Sequence, residues 1–410
     1  MKTENDRKII RELAQRYAEI AALPIQEEKR RLWRKLNGLC PERPMVTIDQ
    51  ICWSEIADDS LTLRCEDAEC RAHEQGFRRA LYQWENFPVD MVIEPFIRVN
   101  KAIYNSGFGL EAIDDTRKHE ESSEVASHKY INQIKSFDDV EKIHAPIISH
   151  DLAETKRRVE VADWLFGDIM EIREEGYERD ISIWDPLSQI MGVEGVLYAI
   201  IDDPDMMHAL AKKMADGYQS MISQLETQGL LCHHQSLVHC TGAFTDELPA
   251  AGFDASKPRA KDVWTWGQAQ MFSTISPSMF EEYEIEYCIP IYERFGLVYY
   301  GCCDPLDQKM DEVKRIPNLR KISMSPWANQ ERGAEEIGKN YVFSRKPNPA
   351  YLAMERFDED IVKKEFAETL DACKKNGCPA EFILKDISTI LHQPDRLKKW
   401  ADIAMKAVCS

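Results

Sequence analysis

The order of apolar segments predicts an α/β protein: a (β/α)8 TIM barrel carrying an N-terminal helical extension. Three observations carry that reading. Short apolar stretches alternate with longer amphipathic ones, which implies a parallel sheet, and about eight such units imply its closure. No internal repeat, low-complexity tract or linker divides the 410 residues, and α/β barrels with extensions reach that length as one unit. Glycines stand where helices should stop, at Gly296, Gly338 and Gly377.

The extension takes residues 1–40. Ile9, Ile10, Leu13, Tyr17 and Ile20 recur at helical spacing among charges, Leu23-Pro24 breaks the pattern, and a second helical stretch covers 27–36. The barrel takes residues 41–410 and forms a single domain with the extension. Its strand candidates are 44–53, 89–96, 180–184, 236–240, 263–268, 297–302, 320–324, 341–344 and 380–384. Helices between them include 204–228, 278–295, 330–337 and 359–376.

Composition narrows the function. Hydrophobic residues make up 44% of the chain, enough to bury a large core. The formal charge of −19 repels phosphate backbones, so no nucleic-acid partner is expected. No stretch approaches the ~20 apolar residues that cross a bilayer, so no membrane partner is expected either. The charged start, MKTENDRKIIRELAQRY, lacks the apolar run of a secretory signal. The twelve cysteines therefore read as reduced thiols of a cytoplasmic protein.

In such a barrel the chemistry gathers at the C-terminal ends of the strands. Trp264 and Trp266 share a strand face, while Trp53, Trp184 and Trp327 stand at other strand ends. Aromatic faces converging on a barrel mouth would bind a flat apolar ligand, with Gln268 and Arg345 beside them, although each indole alone is as much at home in a core. His239 and Cys240 are adjacent, so only one of them can face inward from a strand. Cys302 and His239 with a carboxylate such as Glu247 could hold zinc. No CxxC or HExxH motif is present, and buried cysteines are otherwise inert small hydrophobes. Lys385, beside Asp386, suits a bound carboxylate, a leaving phenolate or a plain ion pair. Glu94 and Asp185 are candidate general acids or bases.

Three segments carry a family resemblance: IIDDPDMMHALAKKMADGY, SPSMFEEYEIEYCIPIYERFGLVYYGCCDP and ILKDIST. Together they resemble the uroporphyrinogen decarboxylase superfamily, a (β/α)8-barrel family, over roughly residues 40–405. True porphyrinogen decarboxylases of that family carry an arginine-rich N-terminal loop. Here PERPMVTIDQ offers only Arg43, and LKDISTI replaces a late histidine-glycine loop, so that activity is not expected. Zinc-dependent methyl-corrinoid:thiol methyltransferases carry His-x-Cys and a later cysteine. Only Cys302 matches, with Tyr300 at the histidine position and Lys385-Asp386 near the late cysteine.

The remaining branch is the substrate-side methyltransferase of corrinoid-dependent O-demethylase systems, which this chain resembles in length, in its N-terminal helices and in HCTGAFTDELP and YYGCCDP. That resemblance implies transfer of a methyl group from a methoxylated aromatic, an aryl methyl ether, to the cobalt of a corrinoid on a partner shuttle protein. It leaves zinc open as a further cofactor and a homodimer open as the assembly. It implies that His239, or a metal on His239 and Cys302, acts on the ether oxygen while Lys385 or Tyr300 stabilises the departing phenolate. Glu94, Asp185 and Glu247 are alternates for the acid. Two other functions stay open. One is a decarboxylase or lyase of the same superfamily acting on a small carboxylate, anchored by Arg98, Arg345 and Lys346. The other is a non-catalytic corrinoid- or tetrapyrrole-binding module.

Overall fold

Local chemistry starts each N-terminal helix. The Thr3 hydroxyl accepts from the Asp6 N–H and the Asp6 carboxylate accepts from the Thr3 N–H, a reciprocal cap that opens helix Glu4–Ala21. Helix Pro24–Asn37 begins on a proline, whose missing N–H costs nothing in a first turn. The computed structural model describes residues 3–118, 126–178 and 180–410.

Among the described residues, eight strands enter parallel pairings, in chain order β1 (Met45–Ile48), β2 (Phe96–Asn100), β3 (Glu171–Glu175), β4 (Trp264–Gly267), β5 (Leu297–Tyr300), β6 (Leu319–Met324), β7 (Val342–Arg345) and β8 (Ala380–Leu384). Six of them form one curled sheet in the order β1-β8-β7-β6-β5-β4, while β2 and β3 pair separately. The described pairings therefore make a half-barrel and a companion pair rather than an unbroken ring of eight. Among the described residues no helix is long and apolar enough to cross a membrane.

Helices Pro204–Gln228, Gln330–Ile337 and Glu359–Asn376 fall where the spacing predicts them. The helix expected over 278–295 is interrupted. Pro277–Phe280 and Glu286–Tyr292 are α-helical, and between them Glu281–Ile285 opens into a wider π turn. Pro290, inside the second piece, lacks the N–H that an uninterrupted ladder would need.

Three strand expectations need correction. Residues 89–95 form a loop rather than a strand: the buried Asp90 carboxylate accepts from the Val46 N–H at 2.8 Å and pairs with Arg43 at 2.6 Å. Residues 236–240 belong to a tight antiparallel turn, Leu237–Val238 against Thr241–Gly242, with His239 at a φ of 55°. Residues 180–184 contribute one bridge, Ile181 to Gly267, before helix Trp184–Met191 begins. The neighbouring parallel strand is β3.

Side-chain alternation divides each sheet strand between two environments. Val298 and Tyr300 of β5, Ile322 and Met324 of β6, and Phe343 of β7 pack outward against the helices. Phe382 of β8 stacks on Phe366 at 4.5 Å between ring centres. The inner face mixes apolar side chains, Trp264, Leu297 and Tyr299 among them, with buried polar ones. Lys321 of β6 and Glu381 of β8 form a fully buried ion pair at 2.8 Å, to which Thr241 Oγ1 donates at 2.7 Å. Helix Pro24–Asn37 covers this layer: the Trp33 ring lies 5.2 Å from Lys321 Nζ, and its Nε1 donates to the Asp90 carbonyl at 3.0 Å. Gly242 allows that approach, because a Cβ there would come within 2.5 Å of the Trp33 ring.

Candidate active site

The same alternation carries polar side chains up the inner face to the C-terminal ends of the strands. On β8 it runs from Glu381 through Ile383 to Lys385. Lys385 Nζ lies 2.9 Å from Cys302 Sγ, 3.5 Å from His239 Nε2 and 3.7 Å from Asp386 Oδ1. Simple alternation from Tyr299 would send Cys302 outward. Gly301, at a φ of 93°, breaks the strand instead and brings the thiol back to Lys385. Cys302 Sγ lies 3.4 Å from Cys303 Sγ, and the Cys303 thiol donates to Asp386 Oδ2 at 3.1 Å.

Beside this group stands a second one. The Lys346 ammonium, after β7, donates to the Tyr299 hydroxyl, and Tyr299 Oη lies 3.0 Å from Ser344 Oγ. The His239 ring joins the groups, with its centre 5.3 Å from that of Tyr299 and 6.2 Å from that of Trp266.

Electrostatics sort these residues into roles. The neighbouring Cys303 thiol and the Lys385 ammonium outweigh burial and hold Cys302 below the usual thiol range, favouring thiolate. Cys303 is correspondingly pushed far up and stays protonated. Burial works against the charge on Lys385, but Cys240, Cys302 and Asp386 outweigh it and favour the ammonium. His239 is driven well below its ordinary value by burial and by Lys346 and Lys385, so its imidazole is neutral. Burial lowers Lys346 to about 8. Burial also raises Cys240 to about 12 and keeps it a thiol.

Of the residues singled out from sequence, His239, Cys302 and Lys385 meet, and Trp266 lies next to them. His239 lies against Lys385 Nζ at 3.5 Å, while Cys240 lines the neighbouring cavity. They occupy a turn, not a strand, so alternation does not apply. The other candidates lie elsewhere. Tyr300 is on the outer parity of β5, where its hydroxyl donates to the buried Glu284 at 2.9 Å; the inward tyrosine is Tyr299. Glu94 precedes its strand and is held by Arg30 at 3.2 Å and by the Ser236 hydroxyl at 2.6 Å. Glu247 pairs with Arg320, which opens β6 at the opposite end of the sheet, at 2.8 Å. Arg345 faces the helix layer and pairs with Glu365 at 2.8 Å.

The ring of tryptophans does not assemble. Trp184 is fully buried, with Nε1 donating to the Tyr283 carbonyl at 2.8 Å. Trp53 packs edge-on to Tyr82 with Arg79 over its ring. Trp327 is 73% exposed. Asp185 accepts from the Gln270 N–H at 3.2 Å, and burial pushes it up to about 6. Gln268, which also bonds Asp185, keeps its carbonyl oxygen buried without a hydrogen-bond partner.

Tyr299 and Ser344 were not singled out in the sequence. A usable signal exists: polar residues at every second position of otherwise apolar strands, such as Lys321/Ser323 and Ser344/Lys346, mark the inner face.

For a metal, Cys302, Cys303 and Asp386 offer three donor atoms within 4.8 Å of one another. Two sulfurs and a carboxylate suit zinc. Of the expected set of His239, Cys302 and Glu247, the first two lie against Lys385 Nζ and Glu247 pairs with Arg320 at the other end of the sheet. Next to the site, a cavity of about 610 Å³ reaches Thr47, Asp49 and Cys240 and is walled by Trp33, Phe77 and Phe244. The Lys385 cluster itself is not part of its lining.

No family model matches the chain, and no curated protein matches it in sequence. Among solved structures its fold is similar to that of a methyltransferase from Methanosarcina mazei. The TM-score is 0.53 at 12% identity, over 92% of this chain and 97% of that chain. At such identity the likeness shows the fold. It covers nearly the whole of both chains.

Proposed function

We propose that this chain is a methyltransferase that moves the methyl group of an aryl methyl ether onto the cobalt of a corrinoid carried by a partner shuttle protein. One observation carries the reading: a thiolate-favoured cysteine, a charged lysine and a neutral histidine converge from separate segments at the strand ends, with Lys385 Nζ 2.9 Å from Cys302 Sγ. The full-length likeness to a protein named a methyltransferase supports it.

In the proposed reaction the methyl–oxygen bond breaks as the carbon–cobalt bond forms. The electron pair of the broken bond stays on the phenolate oxygen, and cobalt(I) becomes cobalt(III). Phenolate is a poor leaving group, so the enzyme must stabilise negative charge on oxygen as it develops. Lys385 supplies a fixed ammonium there. A tyrosine-like phenol titrates near ~10, below a lysine that is itself raised, so the product leaves the step as a phenolate paired with that ammonium and takes its proton from solvent. Neutral His239 accepts from Lys385 and orients it; an imidazolium acid is not available from this residue. Cys302 keeps the lysine charged. The methoxylated ring takes the 610 Å³ cavity, walled by Trp33, Phe77 and Phe244, a size that suits a small ligand. Zinc, held by Cys302, Cys303 and Asp386, would supply Lewis acidity toward the ether oxygen.

The lyase reading loses one of its anchors, because Arg345 faces the helices and pairs with Glu365, while Arg98, which lines the cavity, is tied to Ser236 Oγ at 2.6 Å. The deciding experiment mixes a methoxyphenol, the protein and a reduced corrinoid carrier and follows visible absorption. Loss of cobalt(I) with growth of methylcobalt(III) and free catechol is expected. Carbon dioxide from a carboxylate substrate without methyl transfer would support the lyase instead, and spectral binding without turnover a binding module.

A further inference from the structure

Lys346 has a job the proposed reaction leaves open. It is 2% exposed, and its ammonium meets only neutral oxygens, Tyr299 Oη and Ser344 Oγ, the latter at 3.5 Å. No acidic side chain among the described residues lies within ion-pair distance of it. The acids whose charge reaches it bond other groups, although Glu381 keeps Oε1 buried without a hydrogen-bond partner. Glu381 serves Lys321 and Thr241, and Asp386 accepts from Cys303 and faces Lys385. Its cationic neighbour Lys385 is bound to Cys302. A buried ammonium without a counter-ion is costly, and an anionic ligand would supply the missing partner.

The surroundings are shaped for that ligand. Lys346, Tyr299 and Ser344 form a compact set of N–H and O–H donors on the inner face. Thr47 and Cys240 lie at the near end of the 610 Å³ cavity, and Cys240 is within electrostatic reach of Lys346. The three donors are not themselves part of the cavity's lining, so a ligand whose ring fills it must extend one polar atom past Cys240 to reach them. Neutral His239 stands next to Tyr299 and adds no competing charge.

We propose that Lys346, Tyr299 and Ser344 form an anion-binding site that takes an aromatic oxyanion, a phenolate or ring carboxylate, from a ligand in the neighbouring cavity. That the oxyanion belongs to the methyl donor or its demethylated product rests on the function proposed above; the site itself does not. Tyr299 and Ser344 position the ammonium, and Lys346 makes the charge-assisted contact. Lys385 then remains free to act at the ether oxygen.

The test uses 4-nitrophenol as probe, because its phenolate is coloured and binding is read without turnover. The unaltered protein should favour the bound phenolate, so the yellow band grows on binding at a pH where the free probe is mixed. Lys346→Met should abolish that growth and weaken phenolate binding about tenfold or more, with unchanged far-ultraviolet circular dichroism. Should Lys346→Met not fold, Tyr299→Phe carries the test, with weaker phenolate binding expected. Benzoate added as competitor separates the sources: displacement supports a site open to carboxylates, retention one confined to phenolates. Absence of a band shift in the unaltered protein, a shift that survives Lys346→Met, or Tyr299→Phe binding unchanged where that variant carries the test, overturns the site. Phenolate binding through Lys346 in a protein that transfers no methyl group would instead sink the function and leave the site standing.

Discussion

Lys385 and Glu247 were equally plausible on paper, since each is a charged residue close to a strand or turn. Their partners separate them. Lys385 bonds Cys302 and His239, whereas Glu247 neutralises Arg320 near the far end of the sheet. Lys385→Met should lower methyl transfer by roughly 10²–10³-fold, the range for removing one donor to a developing oxyanion. Glu247→Gln should leave turnover within about twofold. The same lysine variant tests the thiolate. Cys302 sits below the ordinary thiol value partly because of Lys385, so removing that charge must raise its titration. The ultraviolet thiolate absorbance should appear at higher pH in Lys385→Met, and an unchanged midpoint would contradict the pairing. Tyr300 shows the limit of residue-level reading. It and Tyr299 are equally aromatic and adjacent, and only the parity of β5, set by pairing with its neighbours, says which one faces in.

At the scale of single elements, two local devices carry consequences. The π turn Glu281–Ile285 places Glu284 in a wholly buried position, where burial raises its carboxyl to about 8 although Tyr300 donates to it. Its folded value lies above the unfolded one, near 4.5. The stability it contributes is therefore fully present below about 4.5 and is lost as pH rises through about 8. Glu284→Gln should raise the melting temperature relative to the unaltered protein near pH 8 and little near pH 4, measured by calorimetry. The second device is helix Pro24–Asn37, whose Trp33 packs on Gly242 and on Lys321. Trp33→Ala should cost about 3–5 kcal/mol in urea unfolding, and Gly242→Ala should also destabilise, because its methyl would meet the indole. Both N-terminal helices were legible from apolar spacing, since amphipathic periodicity is a local property. The wide turn was not, because the pattern over 278–295 is helical whether or not the ladder skips a residue.

Across the whole molecule, the buried pair Lys321–Glu381 joins two strands separated by β7 inside the sheet. Removing one partner leaves a charge in the interior, so Glu381→Ala should lower stability by roughly 3–5 kcal/mol, read by chemical denaturation. Replacing both residues by leucine and methionine should restore much of that loss. Composition, charge and the alternation of apolar segments were enough to indicate an α/β chain with strands and helices close to their observed places. They also put Lys385 and Cys302 at strand ends, because a run of apolar residues that stops at a polar one is visible in one dimension. What the sequence could not decide is which strand ends face one another. Trp184, at the start of a helix, went into the core rather than to a mouth, and His239 reached the site from a hairpin turn. Glu94 fell before its strand instead of after it. Those outcomes depend on strand parity, on a left-handed glycine such as Gly301 and on contacts between residues more than a hundred positions apart. Periodicity says which face of an element is apolar; only packing against distant elements says what that face meets.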